Sequence, residues 1–195
     1  MAKSNERRRC CHHESGHAVQ AWIEGQRINL MLLDPPDNPD LEGYTSTGKP
    51  LGEWELADLT AHIRITLAGT FGERLGPVPT TKEEREFLKW EAEQHLLQAL
   101  GMFRWPDIND PNFQPTQQHA IVVASCEKDV EVVFQHTCVQ RCVQALARLF
   151  EQQKHIDGPD VETFIAARLG AERDQLRALL LTKPHAKEAD RHGKA

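Results

Sequence analysis

The chain has 195 residues, of which 27% are charged and 39% hydrophobic, and its 23 basic against 29 acidic side chains leave a formal charge of −6. That length suits one well-buried domain of an ordinary soluble globular protein, and it excludes collagen-like, low-complexity and wholly disordered classes. The acidic balance gives no global attraction to nucleic acid, and Arg7-Arg8-Arg9 is too short a basic run to track a phosphate backbone.

The N-terminus has no apolar core after its charges, so it does not read as a secretory signal. Residues 8–24 carry Ala18, Val19, Ala21, Trp22 and Ile23 as an apolar stripe, with Gly25 as a stop, which predicts a helix. Residues 27–33 read as a buried strand. Three prolines make 34–40 a loop. Gly43-Tyr44-Thr45-Ser46 is expected to be a short partner strand, so that a small sheet lies beside the first helix. The same stretch, continued to Gly48-Lys49-Pro50, imitates a phosphate loop. Pro50 stands where the Mg²⁺-holding Ser or Thr is required, and the strand reading is preferred.

Residues 53–75 place Trp54, Leu56, Leu59, Ile63, Leu67, Ala68 and Phe71 at helical spacing before Gly76, Pro77 and Pro79. A further helix is expected over 81–101 and a proline-rich loop over 104–116. A long helical region follows over 117–154, broken at most once. Gly158-Pro159-Asp160 opens a short helix with proline in its first turn. The last amphipathic piece spans 171–181. Trp22, Trp54 and Trp90 are expected in the core. The reading is mainly α with a small β-sheet: one domain over 1–182 and a disordered polar tail over 183–195. The longest apolar runs, such as Met31 to Leu33 and Ile121 to Ala124, fall far short of the ~20 residues of a spanning helix. Cys10, Cys11, Cys126, Cys138 and Cys142 form no CxxC pair, which points to reduced thiols and a cytoplasmic protein; Cys138 and Cys142 read as small core hydrophobes.

Chemistry concentrates at His13-Glu14-Ser15-Gly16-His17, a match to HExxH. Positions i and i+4 share one helix face, so His13 and His17 can offer two imidazole nitrogens to one Zn²⁺. Glu14 projects beside that ion, where a carboxylate can take a proton from water and pass it to a leaving amine. His12 lies five residues from His17, off the shared face, and reads as a neighbour. A third ligand must come from elsewhere. Residues 83–95 supply Glu83, Glu84, Glu86, Glu91, Glu93 and His95, with Glu84, Glu91 and His95 near one helical face.

In this order of motifs the chain resembles the peptidase domain of FtsH-type zinc proteases. His13-Glu14-Ser15-Gly16-His17-Ala18-Val19 is similar to the family's HEAGHA signature, and Gly43-Tyr44-Thr45 to its GYT after a short strand. Leu67-Ala68-Gly69-Thr70-Phe71-Gly72-Glu73-Arg74-Leu75 resembles the LAGRxAExL segment, and Leu149-Phe150-Glu151 with Asp157-Gly158-Pro159-Asp160-Val161 its closing helices. The resemblance implies a mostly helical peptidase fold with one zinc, cleavage of unfolded polypeptide, His13 and His17 as ligands and Glu14 as general base. Separately, the small strand pair at Gly43, Tyr44 and Thr45 is expected to dock an extended peptide substrate by strand addition. The family's third ligand is an Asp opening a helix. No aspartate occurs between His62 and Met102, and the nearest register puts Glu91 there, with Glu84, Glu86 and His95 as alternatives. The family's transmembrane and AAA ATPase modules are not in this sequence. The expectation is therefore a peptidase acting without its own ATPase, with a separate ATPase or self-association as partner; a catalytically inactive FtsH-like binding or regulatory module is the alternative.

Overall fold

A computed structural model describes residues 2–38, 42–48, 56–77, 81–83, 86–87, 90 and 117–181. Among them are six main helices and three strands: α1 (Ala2–Glu24), β1 (Ile28–Leu33), β2 (Gly43–Thr47), α2 (Leu56–Glu73), α3 (Gln117–Phe134), α4 (Thr137–Gln153), β3 (His155–Asp157), α5 (Gly158–Leu169) and α6 (Arg173–Leu181). The protein is mainly helical with a small antiparallel sheet, as its periodicities predict. Helix α1 begins six residues earlier than its apolar stripe requires, in a polar turn around Lys3 to Arg8. The helical region over 117–154 is broken once, at Gln135 and His136. The expected loop over 104–116 and the tail over 183–195 lie outside the described residues, as does Trp54.

The sheet has three strands where two are expected. β1 is central, in the order β2-β1-β3, and both neighbours run antiparallel to it. Met31 stands opposite Thr45 on one side and Ile156 on the other. β3 follows a left-handed turn at Lys154 (φ 64°), whose carbonyl accepts the Leu33 amide at 2.8 Å. Its His-Ile-Asp alternation, with only Ile156 buried, is too short to mark a strand in the sequence, so only its pairing reveals it.

The core gathers where α1, α2, α4 and α5 meet the inner face of β1. Ala18, Val19, Ile23, Met31, Ile63, Leu67, Leu146, Phe150, Val161 and Ile165 are all buried in it. Helix α4 presents Val139, Cys142, Val143, Leu146, Ala147 and Phe150 inward, the i, i+3, i+4, i+7 stripe of an amphipathic helix. All five cysteines are free thiols. Burial pushes the Cys11, Cys126 and Cys142 thiols up to about 12, so they pack as small apolar groups and not as nucleophiles. Trp22 is buried as expected. Trp90 is not: it is exposed and meets Phe87, also exposed, with ring centroids 5.7 Å apart.

Two devices fix α1 against α2. The helices cross backbone to backbone at Gly16 and Gly72, where a Cβ on Gly16 would collide with the Ala68 carbonyl and one on Gly72 with that of His12. Further along α1, Arg64 of α2 donates from Nε and Nη2 to the Glu24 carboxylate at 2.6 and 2.9 Å and lies 3.7 Å from Asp129 of α3. Removing one partner of such a buried ionic cluster leaves an uncompensated charge, which makes it a register lock for the three helices.

Candidate metal centre

The crossing of α1 and α2 sets the HExxH turn directly on the α2 backbone. His13 and His17 project from one face of α1, with ring centroids 4.4 Å apart and planes nearly perpendicular at 86°. A ligand atom from each of His13, Glu14 and His17 can be chosen so that all lie within 4.8 Å of one another, and among the described residues this is the group with the composition to hold a metal ion.

Each imidazole is oriented by α2. The Nδ1–H of His13 donates to the Glu73 carboxylate at 2.6 Å, and the Nδ1–H of His17 to the Ile65 carbonyl at 2.7 Å. Both partners are acceptors, so Nδ1 carries the proton in each neutral ring and Nε2 keeps the lone pair. Metal-ligating histidines are held by this kind of outer hydrogen bond, which fixes tautomer and ring direction. Ile65 and Gly69 are one helical turn apart, and the missing Cβ of Gly69 opens the α2 surface at that turn. A Cβ there would sit 2.5 Å from His13 Cε1 and 2.6 Å from both His13 Nε2 and His17 Cε1.

The donor set fits a divalent transition metal: two imidazole rings whose Nε2 atoms carry the lone pair, and a carboxylate beside them. Glu14 is buried, and its carboxylate has no hydrogen-bond or ion-pair partner among the described residues. Its backbone carbonyl accepts the Thr45 hydroxyl at 3.0 Å, which docks β2 on the HExxH turn. Gly43, Tyr44 and Thr45 lie on β2, at the outer edge of the sheet among the described residues. Gly43 packs so closely on α1 and β1 that a Cβ would lie 2.9 Å from Cys10 Sγ.

Of the third-ligand candidates, Glu84, Glu91 and His95 lie outside the described residues. Glu86 is described, is exposed, and does not belong to the cluster with His13 and His17. His12 turns away, its Nδ1 on the Arg8 carbonyl at 2.8 Å. Glu73 is the site residue that motif reading missed as a contributor. Its only sequence signal is its place in the Leu67–Leu75 segment, since a carboxylate sixty residues from His13 has no spacing rule to expose it. Replacing it by Ala removes the acceptor of His13, and metal affinity is expected to fall by about 10- to 100-fold, measured by competition with a chromophoric chelator.

Burial, and next the neighbouring His13, lower the His17 imidazole from its ordinary 6.5 to about 4. The ring is therefore neutral and able to bind metal at physiological pH. The unfolded chain takes up this proton near pH 6.5 and the folded chain only near 4, so between these values the unfolded state binds more protons. Stability of the metal-free protein is then complete above about pH 6.5 and falls as pH drops toward 4, by up to about 3 kcal/mol. Urea unfolding in EDTA at pH 7.5, 6 and 5 reads this slope; a His17→Ala variant with an equally steep slope would assign it to other groups.

The chain matches no known protein family. No curated protein matches it either. Among the described residues no helix is long and apolar enough to cross a membrane.

Proposed function

We propose that this protein is a zinc-dependent peptidase, resembling the FtsH-type peptidase domain, that hydrolyses peptide bonds in flexible or unfolded polypeptides. The observation that carries the reading is the pair of oriented imidazoles. His13 and His17 each spend Nδ1 on α2, which puts two Nε2 lone pairs on one helix face beside the Glu14 carboxylate, which has no partner among the described residues. Zinc, when bound, supplies a Lewis acid that polarises the scissile carbonyl and makes water acidic enough to be deprotonated near neutral pH.

The chain's own residues do the rest. His13 and His17 hold the ion through Nε2, and we place Glu91 as third ligand, with Glu84 and His95 as its alternates; Glu86, exposed and outside the cluster, is set aside. Glu14 accepts the proton of the attacking water and delivers it to the departing amine nitrogen. The outer edge of β2 offers backbone N–H and C=O groups to an extended peptide, which would add as a further strand. Because Thr45 ties β2 to the carbonyl of Glu14, a peptide paired with β2 lies next to the HExxH turn.

Zinc content of the purified protein, wild type beside His17→Ala, tests the reading. The wild type is expected to hold about one zinc per chain and the variant none. A wild type that takes up no zinc at micromolar metal overturns the peptidase proposal and leaves the FtsH-like binding or regulatory module.

A further inference from the structure

A second site lies at the opposite end of α1, and it is independent of the metal centre and of the function proposed for it. Past Trp22 the helix closes: the Gly25 amide returns to the Trp22 carbonyl at 3.1 Å and the Gln26 amide to that of Ala21 at 2.9 Å. Gly25 takes a left-handed conformation (φ 82°) and carries no side chain into the space beyond. There a cavity of ≈ 290 Å³ is lined by Trp22, Gly25, Gln26, Arg27, Glu162 and Arg173.

The charge around this cavity is lopsided. Its one carboxylate, Glu162, is engaged: Oε1 accepts the Ile28 amide at 2.9 Å. Against it stand two arginines of the lining, Arg27 and Arg173. A third, Arg177, borders Gly25, with Nη1 3.5 Å from where a Cβ would be. Arg27 and Arg177 have no hydrogen-bond acceptor or ion-pair partner among the described residues. In a chain of net charge −6, three clustered cations with so little local neutralisation call for a reason.

Arg173 is preorganised. Its guanidinium lies 4.3 Å from the centre of the Trp22 indole ring, and Nη2 donates to the Trp22 carbonyl at 2.8 Å. These contacts cap the negative end of α1 and hold the side chain at the cavity wall. A guanidinium carries five N–H donors; among the described residues this one gives a single bond, and its Nε–H is buried with no acceptor among them. Capping explains Arg173 alone. It does not explain Arg27 or Arg177.

We propose that this cavity binds the phosphate group of a soluble small molecule, with Arg173 as the fixed donor and Arg27 and Arg177 closing on the anion. Guanidinium forks match phosphate oxygens in pairs, and an anion in this position supplies acceptors for the donors these arginines leave unused among the described residues. The cavity is larger than one phosphate group, which leaves room for the body of the ligand.

Calorimetric titration of the metal-free protein with pyrophosphate tests this. One saturable site per chain is expected, unchanged in His17→Ala and weakened at least about tenfold in an Arg27→Gln, Arg177→Gln double variant. Those two side chains have no partner among the described residues, so the double variant is expected to melt with the wild type, and Arg173→Lys adds a second, separately readable loss. Absence of saturable binding at millimolar pyrophosphate, or equal binding by the double variant, overturns the proposal. Citrate binding as tightly as pyrophosphate overturns the choice of phosphate. Co-sedimentation with phosphatidic-acid vesicles in the absence of pyrophosphate binding overturns the soluble ligand in favour of a lipid headgroup.

Discussion

Glu14→Gln is expected to lower peptide hydrolysis by about 10²- to 10⁴-fold while the protein still holds its zinc, the loss typical of removing a positioned general base. The substitution is close to isosteric, and the structure gives it little else to disturb. The hydrogen bond that docks β2 uses the backbone carbonyl of Glu14, not its side chain. The carboxylate itself is buried without a partner among the described residues, so neutralising it costs the fold no ion pair. The Nδ1 bonds of His13 and His17 go to Glu73 and Ile65 and are untouched. Cleavage of a fluorescent casein and zinc content are to be measured on the same preparation. Full activity in a zinc-loaded Gln variant would remove Glu14 from the proton transfer. Loss of zinc together with activity would instead make Glu14 a ligand.

Gly69→Ala is expected to cost at least about 100-fold in metal affinity with a loss of unfolding free energy of about 1–3 kcal/mol, smaller than separating the helices would cost. The unusual combination follows from what the new methyl group meets. It would lie 2.5–2.6 Å from ring atoms of both histidines, too close for either to stay. Those atoms are the outer ends of side chains that can rotate away, so the helices need not part. Rotation breaks the Nδ1 bonds to Glu73 and Ile65 and disperses the two Nε2 lone pairs. The contrast is with Gly16 and Gly72, where a Cβ meets backbone and α1 must move off α2. Isothermal titration with Zn²⁺ beside urea denaturation separates the two effects. An Ala variant that binds zinc as the wild type does would show that the rings do not depend on this gap.

The i, i+4 spacing of His13 and His17 is a property of one helix and needs no tertiary information, which is why the pair is legible from five consecutive residues. Apolar periodicity likewise exposes α2 and α4, because burial of a single face requires it. Trp90 shows the limit of that reasoning: its position on a helical pattern could not tell which side the protein would cover, and it is exposed.

The amino-acid sequence by itself thus determined a mainly helical chain, its HExxH turn and the strand beside it, all consequences of short-range spacing and of the rule that apolar faces are buried. The tertiary structure alone decided what gives that turn the form of a candidate metal centre. Glu73 and Ile65 reach the imidazoles from about fifty to sixty residues away, through a crossing that depends on absent side chains at Gly16, Gly69 and Gly72. Local spacing contains no record of such contacts, since which backbone lies against which is set by packing of the whole core.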